Sequence, residues 1–264
     1  MKTNAWFWGA LLILLGALLL FDNLNILPFP LWDIIWPSLL IAAGAWLLLG
    51  ARRAPRAVNT QRLDIPLTGE SAARIKLSHG VGELMVSSGA APGYVLSGTF
   101  NGSVQYRSTC EAGRQLVKIK SPLNLLALEG LFSREARLCS VMLSSQIPLS
   151  LDIESNASMA RIDLADVRLT DLELEMGASS AEVSLPLGVG YTRVKIEAGA
   201  ASISLRLPPE AEARVRFEGG LSSLNIDQTR FVQTGNRYQT AGFDAASDRL
   251  DIDIEAGVGS VSIR

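Results

Sequence analysis

Five glutamates, Glu154, Glu175, Glu197, Glu218 and Glu255, recur in one local frame: two apolar positions, Glu, one residue, then Gly or Asn. The first four stand 21, 22 and 21 residues apart, and the fifth lies 37 further on, past an insertion. A period in the twenties marks a repeat architecture. If the repeats stack in register, equivalent residues stand about 4.8 Å apart. Glu154, Glu175, Glu197 and Glu218 then form one outward column, extended by Glu255 beyond the insertion. Like charges so stacked are destabilising, so the column needs a role. The carboxylates can cap backbone amides of the following Glu-x-Gly turn, which is the expected role. They can splay into solvent and pair with neighbouring arginines. They can also form a docking strip for a basic partner segment or a cation, which makes Glu175, Glu197 and Glu218 candidate partner-binding residues. Two residues earlier runs a second column, Asp152, Glu173, Lys195, Arg216 and Asp253. Its mixed signs can pair internally, each exposed pair contributing up to about 1 kcal/mol.

Chemistry of other kinds is harder to find. His79 is the only histidine, and no neighbour in sequence nominates a partner for it as a general base. With Cys110 and Cys139 it cannot complete a four-ligand zinc site; the two cysteines can form a disulfide, but two buried thiols are the expected state. "GVGELMVSSG" lacks the third glycine of a dinucleotide fingerprint, and there is no Walker loop. The aspartates are scattered among strands with no evident cleft. No catalytic, cofactor-binding or metal-binding residues are expected, and no enzyme. A formal charge of −2 argues against nucleic acid as a partner.

The elements that must position the glutamates alternate apolar and polar residues, as in "LELE", "TRVKIE", "SISLRL" and "LDIDIE". Period two predicts half-buried strands. Each repeat is expected to hold two strands, one entering the Glu-x-Gly turn and one leaving it. Leu172, Leu174, Val183, Leu185, Val194, Ile196, Ile203, Leu205, Val215, Phe217, Ile252 and Ile254 are the inward positions. Gly177, Gly199, Gly220 and Gly257 fall at the sharp turn, where positive φ or close backbone approach is needed. Asn156 takes that place in the first full repeat. Pro186, Pro208 and Pro209 belong at corners. A degraded repeat, "IKLSHGVGELMV", begins at Ile75, and "YVLSGTFNGSVQYR" and "RQLVKIK" read as strands around an Asn-Gly turn. An irregular insertion near 121–140 is apolar at Leu125, Leu126, Leu128, Leu131 and Phe132. It reads as a cover for the open end of the stack, or as a patch facing membrane or partner.

The first 56 residues are of another kind. Ala5–Phe21 has no charge, and Leu31–Gly50 has one, Asp33, near its start. Each run approaches the thickness of a bilayer core as a helix. All five tryptophans lie here, four of them near the ends of the runs, as interfacial belts require. "FDNLNILPFP" between the runs reads as a turn, and no small-residue cleavage site follows the first run, so the pair is expected to stay as a two-helix transmembrane hairpin. Lys2 on one flank and Arg52, Arg53 and Arg56 on the other place both flanks, and hence the β domain, in the cytoplasm. Asp33 is either a residue of the outer interface or a contact for a partner helix.

Two stretches resemble a known family. "WGALLILLGALLLFDNLNILPFPLWDIIWPSLLIAAGAWLLLG" resembles the LiaI/LiaF-type transmembrane hairpin. "GASSAEVSLP", "GAASISLRLP" and the closing "GVGSVSI" resemble the C-terminal domain of LiaF-like cell-wall stress proteins, a toast-rack β-solenoid. The resemblance implies a membrane α-hairpin over 1–56, then an all-β domain over 57–264. That domain is expected to be a right-handed β-solenoid with rungs of about 21 residues. It also implies a non-enzymatic regulatory protein of the bacterial envelope that modulates a sensor histidine kinase in the cell-wall stress response. The partners are then membrane lipid and protein, with self-association open. The alternative is a membrane-tethered scaffold polymerising through solenoid edges.

Overall fold

The structure is a computed structural model that describes residues 36–41, 44, 60–121 and 138–264. The chain divides into two compact units, Met1–Ala54 and Pro55–Arg264. In the first unit, residues 36–41 and 44 are helical, with Trp36, Leu39, Leu40 and Ile41 exposed. Most of both apolar runs, Asp33 included, lies outside the described residues, as do 122–137 of the insertion. Among the described residues no helix is long and apolar enough to cross a membrane.

The second unit is β throughout. Its spine is six long parallel strands: β2 (Ala72–Ser88), β7 (Leu149–Asp163), β8 (Leu169–Ser184), β9 (Tyr191–Arg206), β13 (Arg249–Ile263) and β10 (Glu212–Ile226), stacked in that order. Each repeat is one strand of 15 or 16 residues rather than two. The strand nevertheless folds back on itself. Five residues join Asp163 to Leu169, spanning at most about 20 Å, whereas a straight 15-residue strand would carry the chain about 50 Å away. The pairing shows where the bend lies: Met176 faces Ala198 and Ala178 faces Ala200, and the register lapses only at Gly177 and Gly199.

These glycines do not have positive φ. They are needed for close approach. A Cβ on Gly257 would lie 2.6 Å from the carbonyl oxygen of Gly199, and one on Gly177 would collide with that of Asn156. In β8 and β9 no residue has positive φ and pairing resumes one residue past the bend, so each repeat stays one strand. Pro186, Pro208 and Pro209 lie in the corners outside the strands.

Both arms of each bent strand turn alternate residues inward. Leu172, Leu174, Val183, Leu185, Val194, Ile196, Ile203, Leu205, Val215, Ile252 and Ile254 are all buried. Each such aliphatic side chain contributes roughly 1.5–3 kcal/mol by leaving water. Phe217, expected inside, is only partly buried because it sits in the last long strand.

The two ends of the spine are closed differently. Beside β2, the first arm pairs with β5 (Arg114–Ser121) and the second with β6 (Leu138–Leu143). Beyond β5 lies β4 (Gln105–Glu111); beyond β6 lie β3 (Tyr94–Asn101) and β1 (Thr60–Pro66). The Asn101-Gly102 signal therefore makes no hairpin, because β3 and β4 pair with different neighbours. The hairpin is β4–β5, where Ala112 and Gly113 both have positive φ, as a type I′ turn requires. Gln115, fully buried in β5, ties these parts together: its amide donates to Pro66 O (2.9 Å) and Ser108 Oγ (3.1 Å) and accepts from Thr68 N–H (3.3 Å). At the other end, β12 (Arg237–Gln239) pairs with β10 over three residues only, and β11 (Val232–Thr234) pairs with β12.

The insertion before Glu255 makes this hairpin and then sends β13 back into the stack between β9 and β10. Charge explains the placement. Directly stacked, β9 and β10 would set Arg193 against Arg214 and Lys195 against Arg216. In the structure Asp251 lies between the first pair and Asp253 between the second. Asp248 fixes the entry, accepting from Gly188 N–H (2.5 Å) and Gly190 N–H (2.8 Å) at the β8–β9 corner.

Candidate functional site

The bends of five of the six long strands carry a glutamate, β2 having Ser78 instead, and stacking turns the bends into a ridge. Register pairs Ser78 with Glu154, Glu154 with Glu175, Glu175 with Glu197, Glu197 with Glu255 and Glu255 with Glu218. The column exists, with Glu255 inside it rather than at its end. Together with the bend glycines it lines an open groove of about 920 Å³, with Lys120 and Gln105 lining part of the wall.

Among the described residues none of the five carboxylates accepts a hydrogen bond from a backbone amide, so the capping role is not realised. Two glutamates are instead neutralised by lysines. Glu154 accepts from Ser78 Oγ (2.8 Å) and from Lys76 Nζ, which also lies 3.3 Å from the buried carboxylate of Asp152. Lys76, and then Ser78, hold the Glu154 carboxyl below its ordinary value, while Glu154 raises the Lys76 ammonium. Lys195 donates to Glu197 and is itself raised by that bond. Glu175, Glu255 and Glu218 form no salt bridge among the described residues.

The second column runs Lys76, Asp152, Glu173, Lys195, Asp253, Arg216 in space. Arg216 donates two bonds to Asp253, and one step away Arg214 grips Asp251 bidentately (3.1 and 2.5 Å). Burial pushes the Asp251 carboxyl up, but its donors Arg214 and Tyr191 outweigh that and leave it below the ordinary value. The Arg193–Asp251–Arg214 row escapes a reading centred on the glutamates; its signal was the recurrence of Arg at the same repeat position.

Cys139 is buried, and burial pushes its thiol up to about 12; Cys110, expected inside, is exposed beside Thr68. The two are free thiols. His79 is buried at the bend of β2. Among the described residues no group of three or more His, Cys, Asp or Glu is placed to hold a metal ion. The groove offers carboxylates, the hydroxyls of Ser78, Ser121 and Ser155, the ammonium of Lys120 and the buried His79.

Residues 54–206 match the family model described as the N-terminal domain of toast_rack. The chain belongs to the toast-rack family. Residues 6–48 match the LiaI-LiaF-like transmembrane region, which makes this toast-rack protein a LiaF-like, membrane-anchored protein of the envelope. Neither family is one of known enzymes. No curated protein matches the chain. A Clostridium sporogenes structure, described as a candidate cell adhesion protein, is similar with 18% identity and a TM-score of 0.69, over 78% of this chain and 98% of its own. That likeness is one of fold. A Bacteroides fragilis candidate adhesin aligns at 9% identity with a TM-score of 0.28, over 80% of this chain and 99% of its own.

Proposed function

We propose that this toast-rack protein is a non-enzymatic regulator held at the bacterial cytoplasmic membrane by a two-pass hairpin. Both termini and the β domain, a right-handed solenoid, face the cytoplasm. It works by docking a protein partner, with a sensor histidine kinase of the envelope stress response as the leading candidate. One observation carries the reading: the glutamate column runs along an open groove, and among the described residues Glu175, Glu255 and Glu218 form no salt bridge. A stack of like charges costs stability, so carboxylates without a salt bridge suit a basic segment that adds positive charge on binding. Asp33 contributes a polar contact to a partner helix at the membrane.

Crosslinking in intact cells, followed by identification of the captured protein, tests the reading. The triple change Glu175→Gln, Glu197→Gln and Glu218→Gln should abolish capture while the melting temperature holds or rises slightly. Capture that survives the triple change would remove the groove from the function. A reporter active only outside the cytoplasm, fused after Arg264, should be silent, and one inserted near Asn25 should be active. The opposite pattern would overturn the topology.

A further inference from the structure

Among the described residues, the sheet's free edges are β1, β4, β11 and the second arm of β10. The first two carry charge, Arg62 and Asp64 on β1 and Arg107 and Glu111 on β4, and β11 is three residues long. Charge and shortness are the devices that keep edges from pairing. The β10 arm has neither. Gly219–Ile226 reads "GGLSSLNI", without charge or proline, and pairs only with β13. The core behind it is also unfinished. Leu224 is only partly buried, although its register mates Val261 and Ile203 are 1% and 2% exposed, and Leu221 is 83% exposed.

We infer that this edge pairs with the same edge of a second copy of the chain, across a two-fold axis at Ser222. Two identical edges related by a two-fold must run antiparallel. Odd-numbered residues of the arm face outward and even-numbered ones inward. Only a register whose paired numbers have an even sum sets inward beside inward and joins the two cores on one side. Centring on Ser222, the midpoint of Glu218–Ile226, uses the whole run. Leu221 then faces Ser223 of the second copy, and Leu224 faces Gly220. Glu218 meets Ile226, so no like charges oppose each other. The neighbouring odd register would set Glu218 against Asp227 and turn inward residues to the outside. One strand pair buries much less than the roughly 1,600 Å² of a standard stable interface. The dimer is therefore weak for free domains and depends on confinement of both copies to one membrane, which raises their effective concentration.

The test uses the full-length protein with Cys110→Ser, in isolated membranes under mild oxidation. Ser222→Cys should give a disulfide-linked dimer at a yield at least about tenfold above Ala200→Cys, an exposed position in mid-stack, because residues opposed across a two-fold lie within disulfide reach. Adding Leu221→Lys with Ser223→Lys sets lysine against lysine twice and should remove the dimer. Adding Leu221→Lys with Ser223→Glu sets opposite charges together and should restore it. Equal yields at 222 and 200, or a dimer indifferent to the lysine pair, would overturn the inference. Crosslinks to a different protein alone would overturn the second copy as occupant.

Discussion

The two ends of the stack receive the same kind of strand and treat it differently. At the β2 end both arms are covered, by β5 and by β6, and the first glutamate of the column, Glu154, is held by Lys76 and Ser78. At the β10 end the hairpin β11–β12 covers three residues of one arm, and the last glutamate, Glu218, has no salt bridge among the described residues. The more complete core and the paired terminal glutamate therefore lie at the same end of the stack. In a stacked fold, stability is close to a sum over neighbouring rungs, so the open end should be the weak one.

Core truncation gives the widest contrast. Phe100, 1% exposed at the closed end, should lose about 3–5 kcal/mol on change to Ala. Leu224→Ala at the open end should lose about 1 kcal/mol, because solvent already reaches the site and fills the space. Urea unfolding of both variants measures this, and equal losses would mean that the open end is covered in the working protein.

The bend glycines give a middle-sized effect. A Cβ on Gly257 meets a carbonyl at 2.6 Å inside the stack, and Gly257→Ala should cost about 1–3 kcal/mol. On Gly220 the contact is 3.0 Å, and the strand can relax outward, so Gly220→Ala should cost under about 1 kcal/mol. Thermal unfolding of the pair would rank them.

The smallest effect is electrostatic. Glu154 has a depressed pKa, so its contribution is present above its ordinary 4.5 and is lost as pH falls through the folded value. Lys76 has a raised pKa, so its contribution is complete below its ordinary 10.5 and is lost as pH rises through the folded value. The pair should stabilise the closed end from about pH 4.5 to 10.5 by no more than about 1 kcal/mol, since both groups are a third exposed. Melting temperatures across this range should show Glu154→Gln losing stability inside the window and Glu218→Gln losing none.

Much of this was legible in the residues. The 21-residue spacing of the glutamates announced stacked repeats, and the alternation around Leu172–Leu174 and Val194–Ile196 identified the inward faces. Gly177 and Gly257 marked the bend, although not that the ladder would run through it. The hairpin was misplaced because Asn101-Gly102 is a strong turn signal with no information about partners. The failed capping role has the same origin: a carboxylate beside a bend reads as a cap until its side-chain partners, such as Lys76 for Glu154 and Lys195 for Glu197, are seen.

By itself the sequence determined the repeat, its faces and the existence of two charge columns, because a side chain's face and its place in the repeat follow from local period. Only the tertiary structure decided the order of the rungs. Glu255 lies between Glu197 and Glu218 because β13, last in the chain, brings Asp251 and Asp253 between two strands whose arginines and lysine would otherwise stack like on like. Chain order carries no such instruction. The repulsion between Arg193 and Arg214 arises only when β9 and β10 are neighbours, and it is relieved by a strand that begins more than twenty residues later.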